Sequence, residues 1–143
     1  MTEHWPELAT ILPHRGPSLL VREVRAAGGE RLTAMASIPQ ANGLVDVGAA
    51  HPMLAVEIAA QAAALFQTVR QTGPAQPGGV RGFLVGIRQV ALASTSLPVD
   101  TELRIDVEPR SYLPPLFHYW FELRHDDHLL ASGTISIYVT AAP

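Results

Sequence analysis

Apolar and polar positions divide the chain into three regimes. Ser18 to Ala26 runs Leu19-Leu20-Val21-Arg22-Glu23-Val24-Arg25, a partial alternation, and Arg31 to Ile38 alternates again. Between them stands Gly28-Gly29, which permits a tight turn with positive φ. The two stretches are predicted to form a β-hairpin. Trp5 to Pro13, ahead of them, is short, apolar and bracketed by prolines, enough for a helical turn or two. Pro39 to Gly48 reads as loop. From Met53 to Gln71 alanine dominates, no Gly or Pro interrupts, and Pro52 stands where its fixed φ and missing donor suit a helix entrance. Apolar residues lie nearly all round this helix, which implies burial on most sides. Gly73-Pro74 stops it, and Gln76 to Gly79 is loop. Four strand-like runs follow: Arg81–Ser94, Thr101–Leu113, Leu116–His125 and Leu129–Thr140. They are separated by Ser96-Leu97-Pro98, Pro114-Pro115 and the turn-forming Asp126-Asp127.

One long helix and about six strands predict an α+β arrangement, an antiparallel sheet wrapped around a central helix, in a single domain spanning residues 1–143. A single sheet covers only part of a helix that is apolar all round. The remainder must be hidden by loops or by another subunit, so the pattern itself suggests dimerisation.

Composition narrows the chemistry. Apolar residues make up 48 % of the chain and charged residues 16 %, too apolar for disorder and poor in charge for a soluble monomer. There is no cysteine, which excludes disulfides, thiolate metal sites and cysteine nucleophiles. All ten basic residues are arginine, so Schiff-base chemistry and a P-loop are excluded too. A formal net charge of −3 argues against nucleic acid as the main partner. Met1 is followed by Thr2, Glu3 and His4 rather than by a basic leader, and Glu57 interrupts the longest apolar stretch, so no membrane span is expected. A soluble, cytoplasmic protein is the expectation.

Glu57 is the residue with most to say. Met53, Leu54, Ala55, Val56, Ile58, Ala59 and Ala60 surround it in sequence. An unpaired buried charge is costly, so Glu57 must be paired, hydrogen-bonded, protonated or facing a cavity. Gln61 follows one turn later on the same face, within hydrogen-bonding reach. Two readings stand: a solvent-facing polar stripe continued by Gln61, Gln67 and Gln71, or a general acid/base in an apolar cleft. His51, just before Pro52, is either a loop histidine or a base or substrate-orienting group near Glu57. His14 suits a structural turn. His118, His125 and His128 are scattered over a hairpin, and no cluster has metal-ligand spacing, so no metal is expected. No serine sits in a nucleophile elbow, and the glycines form no dinucleotide fingerprint. Arg81 and Arg88 flank the apolar run Phe83-Leu84-Val85-Gly86-Ile87, as solvated charges or as grips for phosphate or an acidic carrier.

Several segments together carry a resemblance. Leu12-Pro13-His14-Arg15-Gly16-Pro17-Ser18-Leu19-Leu20-Val21 resembles the opening of hotdog-fold 3-hydroxyacyl-[acyl-carrier-protein] dehydratases. Glu57-Ile58-Ala59-Ala60-Gln61 is similar to the Glu-Ala-x-Ala-Gln of that family's central helix. Phe83-Leu84-Val85-Gly86-Ile87-Arg88 and Leu97-Pro98-Val99-Asp100-Thr101-Glu102-Leu103 resemble the strand and turn that follow. The order holds from Leu12 to Val139, and the chain most resembles the divergent dehydratase-like proteins of aryl-polyene and related polyketide-type lipid clusters.

The resemblance implies a hotdog fold, subunits joined sheet edge to sheet edge, an apolar acyl tunnel and no cofactor. It implies dehydration of a 3-hydroxyacyl thioester held on acyl carrier protein or coenzyme A. The family moves the α-proton with a histidine, and a helix carboxylate from the other subunit handles the departing hydroxyl. Amides at the helix entrance polarise the carbonyl. By motif Glu57 carries over as the acid/base, with Gln61 as its orienter; Pro52, Gly86 and Arg88 are candidate substrate-side positions, and His51, which no motif carries over, is a candidate second catalytic group. The family's His-Phe-Pro is absent: its histidine register falls on Gly43, and its Pro-Gly is replaced by His51-Pro52. A hotdog thioesterase and a non-catalytic dehydratase-like partner subunit are the alternatives. The assembly is expected to be a homodimer, a larger oligomer of dimers, or a heterodimer with a homologue.

Overall fold

Alternation of apolar and polar side chains becomes the wall of one sheet. A computed structural model describes Leu12, residues 15–70 and residues 80–141 of the chain. Trp5 to Ile11, His14 and the 71–79 connection, including Gln71, lie outside the described residues. A 3₁₀ turn, Gly16–Ser18, leads into β1 (Val21–Gly28) and β2 (Arg31–Ala36), the expected hairpin, with Gly29 at φ +56 in its turn. After two short strands, β3 (Val45–Asp46) and β4 (Ala49–Ala50), comes helix α1 (Leu54–Arg70). Strands β5 (Val80–Leu92), β6 (Leu97–Pro98), β7 (Leu103–Leu113), β8 (Leu116–His125) and β9 (His128–Ala141) complete the chain.

The main sheet has six antiparallel strands in the order β1-β2-β7-β8-β9-β5. Leu32, Ala34, Ala36, Leu103, Ile105, Val107, Tyr119, Phe121, Leu123, Ile135 and Ile137 turn one face inward and are buried. Against that face lies α1, whose Leu54, Ala55, Val56, Ile58, Ala59, Ala62, Ala63, Leu65 and Phe66 are buried as well. The small alanines allow helix and sheet to approach closely. Two glutamines tie the layers. Gln61 bonds the start of β1, and Gln67 Oε1 accepts from the Tyr119 hydroxyl of β8 at 2.6 Å.

Two expectations change. The Pro39–Gly48 loop contains β3, and the Leu97-Pro98 separator is β6. With β4 they form a second, three-stranded sheet in the order β3-β4-β6. Ladders only two residues long contain too few alternations to leave a periodic signal. The helix begins at Leu54, after a turn at Pro52-Met53.

Candidate functional site

Gln61 organises the site. Its side chain is fully buried and makes four hydrogen bonds. Oε1 accepts from the Leu20 and Val21 amides at 2.9 and 3.2 Å; Nε2 donates to the Ser18 carbonyl at 2.8 Å and to Glu57 Oε1 at 3.4 Å. All four of its hydrogen-bonding sites are thereby engaged, and one residue fixes both Ser18 and Glu57. The solvent-stripe reading fails at Gln61. Gln61 is inside the core, and Gln67 is half-buried and held by Tyr119.

Glu57, in the first turn of α1, is half-buried. It lines a cavity of about 580 Å³ whose other walls include Ser18, Asn42, Gly43, Met53 and Leu84. Asn42 hardens one wall: Nδ2 donates to the Pro17 carbonyl at 2.8 Å and Oδ1 accepts the Leu44 amide at 2.9 Å, an Asx-turn with Gly43 between. A Cβ added at Gly43 would meet nothing within 4 Å.

The helix entrance is closed upon itself. Pro52 has no N–H. The Met53 amide donates to His51 Nδ1 at 3.1 Å, and the Leu54 amide to the His51 carbonyl. Ala55 donates to Pro52, and Val56 and Glu57 to Met53. His51 is exposed and works here as a cap for the entering turn; the cavity lining contains no histidine among the described residues.

Gly86 and Arg88 are placed away from the cavity by one irregularity in β5. Leu84 pairs with Ile137 on the helix-facing side, whereas Gly86 pairs with Ser136 and Arg88 with Thr134 on the outer side. The bulge between Leu84 and Gly86 inverts the alternation, so Leu84 reaches the cavity while Gly86 and Arg88 look outward. Sequence reading did not single out Ser18, Asn42 or Leu84. The Asn42-Gly43 dipeptide is a turn signal that points to Asn42, but Ser18 enters only through a contact with Gln61, 43 positions on. Among the described residues there is no group of metal-ligating side chains and no helix long and apolar enough to cross a membrane.

Comparison with known proteins adds a family and a fold. The family model for ApeP-like proteins, described as ApeP dehydratase, matches residues 6–142. No curated protein matches the chain. Among solved structures, the dehydratase heterocomplex ApeI:P from Xenorhabdus doucetiae superposes with a TM-score of 0.79 at 17 % identity, covering 98 % of this chain and 93 % of that one. A hypothetical thioesterase with coenzyme A from Streptococcus pneumoniae TIGR4 gives 0.62 at 13 %, covering 84 % and 86 %. An HP0420 homologue from Helicobacter felis gives 0.67 at 14 %, covering 94 % and 88 %. The architecture they share is the hotdog fold, a sheet wrapped around one central helix.

Proposed function

The chain belongs to the ApeP-like family of dehydratases, and on that premise we propose that it dehydrates a 3-hydroxyacyl thioester carried on acyl carrier protein, jointly with a second hotdog subunit. The observation that carries this reading is the Glu57 carboxyl, held by Gln61 on the wall of a cavity otherwise lined largely by apolar side chains. In the elimination, a base takes the proton from C2, the C2–H electrons form the C2–C3 double bond, and the C3–O bond breaks. Glu57 delivers the proton that lets the hydroxyl leave as water. The products are a trans-2-enoyl thioester and one water.

The base and the carbonyl donor are assigned to the partner. Gly43 has no side chain to serve as base, Pro52 has no N–H, and the amides from Met53 to Glu57 already have acceptors within the chain. The solved relative from Xenorhabdus doucetiae is itself a dehydratase heterocomplex, which supports a two-subunit site here. The partner is proposed to pair along β5, the apolar edge of the sheet. The same two positions, Gly43 and Pro52, favour a second reading in which this chain holds and stabilises an active homologue without doing chemistry.

Intact mass of a 3-hydroxyacyl carrier protein decides between them. The chain is incubated alone and with a histidine-bearing hotdog subunit, with Glu57→Gln in parallel. The expected result is loss of one water with both subunits present, and at least a hundredfold slower loss with Glu57→Gln. Unchanged dehydration with Glu57→Gln would establish the non-catalytic reading. Loss of the whole acyl group would mark a thioesterase.

A further inference from the structure

Ser18 closes the side of the cavity that Glu57 opens. Its amide donates to the Arg15 carbonyl at 3.2 Å in the 3₁₀ turn, and its carbonyl accepts from Gln61 Nε2. The same nitrogen donates to Glu57 Oε1, so one amide group spaces Ser18 and Glu57 side by side. The Ser18 hydroxyl is exposed at the cavity and makes no hydrogen bond to the described residues. On the same wall Asn42 Nδ2 donates to the Pro17 carbonyl, and the helix-entrance amides serve His51, Pro52 and Met53. A hydroxyl at this place, beside a carboxyl, matches a ligand oxygen that accepts one hydrogen bond while the carboxyl supplies a proton.

We propose that Ser18 binds the 3-hydroxyl of the acyl chain, donating to the oxygen that Glu57 protonates, and thereby makes the cavity selective for 3-hydroxyacyl over 3-deoxyacyl groups. This rests on the reading of Glu57 given above. As C3–O breaks, negative charge grows on that oxygen, and a donor already aimed at it becomes stronger in the transition state than in the ground state. Ser18 thus acts in binding and in specificity.

The test is calorimetric binding of two non-cleavable probes, the pantetheine amides of 3-hydroxyoctanoate and of octanoate, to the wild-type chain, Ser18→Ala and Ser18→Thr. One neutral hydrogen bond sets the expected scale, a preference of about fivefold to tenfold for the hydroxylated probe in the wild type. Ser18→Ala should reduce that preference to about twofold or less while binding the octanoyl probe as before, and Ser18→Thr should restore it. An unchanged preference in Ser18→Ala overturns the proposal, as does a wild type that shows no preference or binds neither probe. Dehydration assayed with Glu57→Gln is read separately. A Glu57-dependent activity with an unchanged preference in Ser18→Ala sinks the Ser18 assignment alone. Activity indifferent to Glu57 removes the reading beneath it.

Discussion

At the scale of single residues, the site is built around Gln61. Replacing it with leucine leaves the Leu20 and Val21 amides and the Ser18 carbonyl without a buried partner. Each such group costs about 1–3 kcal/mol. Gln61→Leu is therefore expected to lower stability by about 3 kcal/mol or more, seen as a lower urea midpoint with an unchanged slope. Gln61→Glu keeps the acceptor, loses both donations and sets a carboxylate against Glu57, so it should be no better. Glu57 and Gln61 were legible in the sequence because a carboxylate inside an alanine-rich helix demands an explanation, and the position one turn on supplies it. Ser18 was not legible. Nothing local distinguishes it from other loop serines, and only the folding of β1 onto α1 brings it beside Glu57. His51 was legible as a residue at the helix entrance, but whether an imidazole there faces a cavity or caps a turn depends on backbone geometry that spacing does not encode.

At the scale of elements, β5 departs most from its apparent simplicity. Its run of apolar residues reads as one uninterrupted strand, yet it is irregular twice, between Leu84 and Gly86 and between Arg88 and Ala91. At the second place Gln89 takes φ +51, and Val90 packs over Gly133 of β9. A Cβ at Gly133 would lie 2.9 Å from Val90 Cγ2, 3.0 Å from Val90 Cα and 3.2 Å from Phe121 Cε1. One of those atoms is backbone, so relief requires the strand to move. Gly133→Ala is expected to cost about 1–3 kcal/mol, read as a fall in Tm. The long strands and the helix were readable because each repeats its period several times. The bulges were not, since an inverted parity is visible only when the partner strand is known. That is why Leu84, rather than Gly86 or Arg88, meets the cavity. The half-buried positions of α1, Glu57, Ala60, Ala64, Gln67 and Thr68, fall along one stripe, the face the sheet covers least.

For the whole molecule, the two edges of the six-stranded sheet differ in kind. On β1, Arg22, Glu23 and Arg25 are exposed, the charged guard that keeps an edge from pairing. On β5, Phe83, Leu84, Val85, Ile87 and Leu92 are all exposed, Val85 at 56 %. An apolar edge of this length calls for a second strand, which is the edge-to-edge pairing proposed for the partner subunit. Val85→Lys is expected to shift the assembly toward monomer in light scattering while leaving the far-ultraviolet spectrum of the fold unchanged. An assembly unchanged by the substitution would place the partner elsewhere. The low charge content led to the expectation of a covered surface but carries no information about which edge a partner would cover.

Gly43 and Pro52 also bear on how such a chain changes over generations. A side chain arriving at Gly43 meets open space, and the residue does not occupy the left-handed region, so the position is free to vary without harm to the fold. Pro52 differs: its ring fixes φ in the turn that His51 caps, so placing a donor there means replacing a residue that shapes the helix entrance. The proposed dependence on another subunit would then be easy to relax at one position and hard at the other, and a lineage gaining self-sufficiency would have to cross its barrier at Pro52.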